Sequence, residues 1–300
     1  MKPLYMWAGG KNKMIPKYQI DPGIPYSGYD TYVEPFFGGG AMMIHVASKN
    51  PNIKKFVLND INAEIVNLYK AIKSDVNGFC TECDILCDQY LPMDKPNRKK
   101  FFYEIREKYI TESEYSTWSS VKEAAVLYFL MKTAFNGIFQ STKAAKGRFA
   151  TPCGLLNQKD QVYDKANVLE WNTFLQKVDI YSGDWKDCTK KIKGKAFYFM
   201  DPPYRNSFTQ YNQDFTDEKQ LEVIDFCKTA DLNGNLVMFC NRDMNDDFFT
   251  SNQGQLTINY YDVKYTAGRR ATEEDGSRTA KDAKEVLLFS PSLYGVFEKA

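Results

Sequence analysis

One strand of this chain must stop at residue 200. The apolar run Ala196-Phe197-Tyr198-Phe199-Met200 meets Asp201-Pro202-Pro203-Tyr204, and two successive prolines have a fixed φ and no N–H to donate to a β ladder. Beyond the strand end project a carboxylate, backbone carbonyls and an aromatic ring. Together they suit a planar heterocycle carrying an exocyclic amine. The Asp201 carboxylate and a proline carbonyl accept its two N–H bonds, and the Tyr204 ring stacks on its face.

The rest of the pattern says what kind of sheet this strand joins. Strand-like runs at Tyr32–Pro35, Lys55–Asp60, Asp179–Tyr181, Ala196–Met200, Leu236–Cys240 and Glu285–Phe289 alternate with helical spacing at Ala41–Ala47, Ile61–Lys73, Asp217–Thr229 and near Asp243–Phe249. Such alternation implies βαβ units and a mainly parallel α/β sheet covered by helices. The middle departs from it. Lys99–Tyr109 and Val121–Asn136 read as helices, followed by a Gly-, Lys-, Ser- and Thr-rich stretch, Gly137–Gly154, read as a surface loop or hairpin. The simplest arrangement is an α/β domain of residues 1–75 and 160–300 with a helical lobe, 76–159, inserted into it.

At 300 residues and 43% hydrophobic content the chain is long and apolar enough for a packed core. A net charge of +1 excludes nothing about nucleic acid, because local patches matter more than the sum. No apolar run reaches membrane-spanning length, and the start has no signal-peptide core, so a cytoplasmic, reducing compartment is expected. Cys80, Cys83 and Cys87 look like metal ligands at first, but they fall at i, i+3, i+7 beside Phe79, Leu86 and Tyr90 on one helix face. With no fourth ligand evident, they read as reduced core thiols and no metal is expected. Cys153 lies in Thr151-Pro152-Cys153-Gly154, a loop context without the glutamine that a cytosine-C5 nucleophile motif would carry.

Two further constellations accompany the proline motif. Trp7-Ala8-Gly9-Gly10-Lys11 offers paired glycines for close backbone approach and a lysine able to neutralise a carboxylate; it is not a phosphate-binding P-loop. Glu34-Pro35-Phe36-Phe37-Gly38-Gly39-Gly40 directly follows the first strand. A glycine turn there makes a crevice at the carboxyl end of the sheet, and Asp60, about twenty residues on, sits where an acid accepts hydrogen bonds from a ribose diol. The dinucleotide fingerprint fits poorly, so a nucleoside ligand without pyrophosphate is expected.

These elements in this order resemble the Dam-type DNA adenine-N6 methyltransferases, in the motif order of the α group of amino-methyltransferases. The resemblance runs from Tyr5 to about Phe289 and includes Phe135-Asn136-Gly137-Ile138 and Gly147-Arg148-Phe149-Ala150-Thr151-Pro152 in the lobe. It implies a Rossmann-like S-adenosylmethionine-dependent methyltransferase sheet with an inserted helical DNA-recognition lobe, double-stranded DNA as partner, and a bacterial or phage origin. S-adenosylmethionine would lie across the strand ends against Trp7, Ala8, Gly9, Gly10, Lys11, Glu34, Phe36, Gly38, Gly40, Asp60, Ile61, Asp184, Trp185 and Asp201. Asp184 is either the partner of the cofactor's adenine amine or an exposed helix N-cap.

The target adenine would be flipped out of the duplex, at a cost of about a few kcal/mol, and Tyr204 stacking would return about 1–3 kcal/mol. Asp201 and the Pro202 carbonyl would accept the amine's protons and direct its lone pair at the methyl donor, with Pro203 and Tyr204 completing the catalytic set. The loop Arg205–Phe215 is a candidate for closing over the base. The alternatives are cytosine-N4 methylation, disfavoured by Asp rather than Ser at position 201, and a non-catalytic DNA-binding subunit.

Candidate DNA contacts are Asn136, Gln140, Lys143, Lys146 and Arg148 in the lobe, and Arg269 and Arg270 in the mixed-charge segment Lys264–Lys284. In GATC-specific relatives a lysine just before the Trp-Ala-Gly-Gly-Lys element and an arginine after Asn-Gly contribute to base reading. Here those positions hold Met6 and Gln140. Methionine donates no hydrogen bond, and glutamine pairs best with adenine edges, so GATC is not carried over as the recognised sequence.

Overall fold

The computed structural model describes residues 1–7, 9–20, 23–25, 28–205, 215–265, 271–272, 278–279 and 281–295. The strands are β1 (Thr31–Glu34), β2 (Lys55–Asp60), β3 (Val178–Ser182), β4 (Phe197–Met200), β5 (Leu236–Asp243), β6 (Thr257–Tyr265), β7 (Ala271–Thr272), β8 (Arg278–Thr279) and β9 (Lys281–Phe289). Seven of them form one sheet in the order β3-β2-β1-β4-β5-β9-β6, while β7 and β8 pair with each other. The contacts among β1 to β5 are parallel, and β9 runs antiparallel to both β5 and β6.

The helices are α1 (Ile15–Ile20), α2 (Ala41–Lys49), α3 (Ala63–Ser74), α4 (Val76–Tyr90), α5 (Lys95–Ile110), α6 (Glu112–Tyr115), α7 (Ser120–Thr133), α8 (Lys165–Leu175), α9 (Trp185–Thr189), α10 (Asp217–Leu232) and α11 (Phe248–Asn252). The two inner strands β1 and β4 are buried at every position, as expected of a parallel sheet covered on both faces. Successive side chains divide between two cores. Phe197, Phe199, Met238 and Cys240 join one apolar cluster, whereas Tyr198, Met200, Val237 and Phe239 join the other. The second cluster is closed by α9, α10 and α11 through residues such as Trp185, Val223, Ile224 and Phe249.

The sheet is thus an α/β, Rossmann-like arrangement, and its strand order locates the crevice. From β1 the chain winds outward to β2 and β3; β4 then returns to the other side of β1. Such a reversal opens a cleft at the carboxyl ends of the two neighbouring strands. Because β1 pairs with β4, with Tyr32 against Phe197 and Val33 against Tyr198, the glycine turn after Glu34 and the proline turn after Met200 must lie side by side.

Residues 76–133 form α4 to α7 with short turns between them, and the middle of the sequence is mainly helical as expected. Their apolar side chains, among them Phe79, Phe102 and Tyr128, belong to the same cluster as Tyr32 and Phe56 of the sheet. The segment therefore builds on α3 and the sheet face and has no separate core. Cys80, Cys83 and Cys87 are buried on α4 with Phe79, Leu86 and Tyr90. The stretch after α7 is hairpin-like, with antiparallel bridges between Ala134 and Cys153 and between Ser141 and Phe149.

Of the boundaries that differ from expectation, three have a clear local cause. Helix α3 starts at Ala63 because Asn62 caps it, its side chain accepting from the amides of Glu64 and Ile65. Helix α7 ends at Thr133, three residues early, because Ala134 turns extended to meet Cys153. The helix expected near Asp243–Phe249 is displaced to Phe248–Asn252, since β5 continues through Asp243 opposite Lys284.

Candidate functional site

The glycine and proline turns enclose a cavity of about 310 Å³. Its walls are Trp7 and Gly9–Lys11, Glu34 with the Phe36–Met42 turn, Asp60 and Ile61, Phe139, and the whole Asp201–Tyr204 tetrapeptide. A cleft thus joins the strand tip to the glycine bend. Three sequence motifs lying far apart along the chain converge here because β1 and β4 are neighbours.

At the tip, the Lys11 ammonium lies 2.7 Å from Asp201 Oδ2. It also donates to the Tyr204 hydroxyl at 2.7 Å and to the Gly9 carbonyl at 3.2 Å. Lys11 is only 4% exposed. Burial pulls its pKa down, but the Asp201 carboxylate, with Glu285 behind, reverses this and leaves it raised. Lys11, expected to be able to neutralise a carboxylate, is paired with that of Asp201. Asp201 is pushed up to about 6, by burial above all, with Lys11 holding it down and Glu285 adding a smaller upward push. Its other oxygen, Oδ1, is buried and has no hydrogen-bond partner among the described residues. A buried acceptor left open is costly, and it belongs to a residue that lines the cavity.

Asp60 presents a contrast. Its Oδ2 accepts from the Gly38 amide at 2.8 Å and its Oδ1 from the Asn62 amide at 2.9 Å, while burial raises its pKa. The acid therefore holds the glycine turn in place, with the Ile61 amide also acting on it. Gly38 has φ +52, and a Cβ there would come within 2.5 Å of the Trp7 indole nitrogen. Only glycine lets Trp7 lie against the turn. Tyr5 fastens the same turn by donating to the Gly38 carbonyl at 2.8 Å. Glu34 is buried and accepts from the Tyr32 hydroxyl at 2.9 Å, and burial holds its pKa well above the usual carboxylate range.

A second cavity, about 100 Å³, adjoins the first and shares Phe36, Ile61 and Pro203 with it. Asp184, Trp185 and Phe215 line it. The Phe36 ring lies 6.1 Å from Trp185 and 6.0 Å, edge-on, from Phe215, which makes an aromatic slot. Asp184 does cap α9, accepting from the Lys186 amide at 2.8 Å, and it faces this slot as well.

The rim is built from the lobe hairpin and the N-terminal segment. A Cβ on Gly137 would meet Met6 at 3.4 Å, so Met6, 68% exposed, stands beside the Asn136-Gly137 turn. Asn136 is exposed at φ 54. Gln140, Lys143 and Lys146 are exposed too, Lys146 lying 3.3 Å from Glu112. Arg148 differs from the expectation of a phosphate contact. Its guanidinium folds inward, donating to Glu123 at 2.6 Å and to the Tyr109 carbonyl at 2.9 Å and stacking on Tyr115. With Glu64 3.6 Å away, it ties the hairpin to α5 and α7. Ala8, Arg269, Arg270 and most of the candidate closing loop lie outside the described residues.

Sequence reasoning overlooked the polar groups behind the site: Gln220 on α10, Asn241 on β5 and Glu285 on β9, all buried. For Gln220 a signal existed. It shares the apolar stripe of Val223, Ile224 and Cys227 at helical spacing, where a polar side chain needs a reason. Among the described residues, no group of three or more His, Cys, Asp or Glu could hold a metal, and no helix is long and apolar enough to cross a membrane.

Known proteins match this chain along most of its length. The model of a family described as D12 class N6 adenine-specific DNA methyltransferase matches residues 7–266. The type II methyltransferase M.MjaIII of Methanocaldococcus jannaschii is 30% identical over 300 residues, which cover 97% of this chain and 99% of the relative. The type II methyltransferase M.CviBI of Paramecium bursaria Chlorella virus NC1A is 31% identical over 77% of this chain and 80% of its own. The retron Ec67 DNA adenine methylase of Escherichia coli is 23% identical over 97% and 92%.

Proposed function

This chain belongs to the D12 class of N6 adenine-specific DNA methyltransferases, and on that premise we propose how its own residues perform the reaction. The enzyme transfers a methyl group to the exocyclic amine of adenine in DNA. The observation that carries the assignment of its site is the buried, unpartnered Oδ1 of Asp201, a residue that lines the cavity. That atom accepts one N–H of the target amine, and the neighbouring Pro202 carbonyl accepts the other. By accepting the two N–H bonds, both draw the nitrogen's lone pair out of resonance with the ring and turn it outward. Lys11, held on Oδ2, fixes the carboxylate plane without blocking Oδ1. Tyr204, tethered by its hydroxyl to Lys11, offers its ring to the face of a base flipped out of the duplex. Catalysis rests on positioning and on charge aimed at the reacting nitrogen.

The donor set suits S-adenosylmethionine, which when bound supplies an activated methyl on a sulfonium sulfur. The Gly38–Gly40 turn and Trp7 take its amino-acid portion. Asp60 accepts from a ribose diol, and the slot of Phe36, Ile61, Asp184 and Trp185 takes a purine with an amine at its edge. Residues 76–159 act as the target-recognition lobe on a catalytic unit of 1–75 and 160–300, with Asn136, Gln140 and Lys143 facing double-stranded DNA. Met6 and Gln140, in place of a base-reading lysine and arginine, favour a recognised sequence other than GATC.

The test is to incubate the purified enzyme with S-adenosylmethionine and a mixed-sequence duplex and to map N6-methyladenine at base resolution. Methylated adenines in one defined context other than GATC are the expected result. Modification confined to GATC would overturn the reading of Met6 and Gln140, and absence of N6-methyladenine would overturn the site assignment.

A further inference from the structure

The Asp201-Pro202-Pro203-Tyr204 turn has a mechanical weakness. Prolines 202 and 203 have no N–H, so the turn cannot be pinned through its own amides there, and its remaining freedom lies in the ψ angles. At the prolines only the carbonyls can be gripped. The structure places a buried amide on one of them: Gln220 Nε2 donates to the Pro203 carbonyl at 2.6 Å. Asn241 Nδ2 donates in turn to Gln220 Oε1 at 3.1 Å. Asn241 Oδ1 accepts from the amides of Arg205 at 3.0 Å and Arg242 at 2.8 Å.

Gln220 and Asn241 are both fully buried. The chain of bonds runs in one direction, so each amide's orientation is dictated by its neighbour. The turn is gripped on both sides of Tyr204, at the carbonyl before it and the amide after it. Farther out, the Arg205 guanidinium is clamped by Asp217 at 2.8 Å and Asp246 at 3.0 Å and stacks on Phe248. Asp217 and Gln220 lie on the first turn of α10, so one helix end holds both grips.

We propose that Gln220 and Asn241 are positioning residues for methyl transfer: their buried amides fix the proline turn so that Asp201 Oδ1 and the Pro202 carbonyl converge on the target amine. The inference rests on the assignment of Asp201 given above. Neither side chain lines the cavity, so their effect passes through the backbone they hold. A displacement of about 1 Å at the reacting groups lowers a rate by about 10²-fold, and an untethered proline turn permits such a displacement.

The test is single-turnover methyl transfer to a duplex with saturating S-adenosylmethionine, at a temperature where every variant is folded. Gln220→Met keeps the shape and removes the grip; its rate constant should fall by roughly 10²-fold, while its Kd for the cofactor changes by less than about threefold. Gln220→Glu grips the carbonyl only when protonated, so its rate relative to wild type at the same pH should rise as pH falls. Taking that ratio cancels the titration of Asp201. A Gln220→Met rate within about twofold of wild type, or a Gln220→Glu ratio flat across pH, overturns the proposal. If Gln220→Met does not fold, the Gln220→Glu ratio decides alone. Asp201→Ala in the same assay separates the two claims: full activity there would sink the catalytic assignment, whatever Gln220 does.

Discussion

The ends of β2 and β4 each carry an aspartate into the same cleft, and their surroundings differ. Asp60 has a backbone amide on each oxygen. Asp201 has a lysine on one oxygen and an open, buried acceptor on the other. Both carboxylates are pushed up by burial, so desolvation alone does not distinguish them. The distribution of hydrogen-bond partners does. Asp60 is satisfied by the fold and shapes the glycine turn, whereas Asp201, which lines the cavity, keeps one buried oxygen without a partner among the described residues.

The sharpest way to break this comparison is to remove each acid. Asp201→Ala should lower the single-turnover rate by about 10³-fold, the scale seen when one preorganised hydrogen-bonding group is lost from an active site, with cofactor affinity little changed. Gly38→Ala comes next. A Cβ at φ +52 against the Trp7 ring carries strain of about 1–3 kcal/mol, so calorimetric titration should show cofactor binding weakened by roughly ten- to a hundredfold.

Asp60→Asn should act on stability and cofactor binding more than on chemistry. An asparagine offers one oxygen to two amides, and the orphaned donor costs about 1–3 kcal/mol, read as a lower melting temperature. A single-turnover loss as deep as that of Asp201→Ala would erase the distinction between the two acids. The smallest effect is a shift. Protonation of Asp201 removes its charge, so the wild-type rate should fall as pH drops through about 6. Lys11→Met removes an ammonium that holds this pKa down, so the acid limb of the pH–rate profile should move to higher pH. A limb that stays in place would mean another group titrates there.

Much of the architecture was legible because local chemistry and the fold agreed. Strand β2 matches the sequence reading residue for residue, since the apolar run Phe56–Leu58 lies between Lys55 and Asn59-Asp60 and is followed by a capped helix. The proline turn and the glycine turn were legible because prolines and glycines restrict backbone whatever surrounds them. The edge of the sheet was not. Strand β6 is half-buried and owes its register to β9, with Thr257 opposite Phe289, and nothing local specifies a partner so far along the chain. The same partnership extends β5 through Asp243 and displaces the helix expected there. Arg148 reads as a free cation in a basic loop, and only the packing of Glu64, Tyr109 and Glu123 around it turns it inward.

By itself the sequence determined which chemistry is present: an acid at a strand tip with two prolines behind it, a glycine bend, and a lysine near the start. Those choices are local, because a residue carries its functional group and its backbone restrictions wherever it is placed. Tertiary structure alone decided which groups remain available. It paired Lys11 with Asp201, satisfied Asp60 from the backbone, left Asp201 Oδ1 open and set Gln220 against the Pro203 carbonyl. Hydrogen bonding is directional and short in range, so which lone pair goes unanswered is settled only when distant strands come to lie side by side.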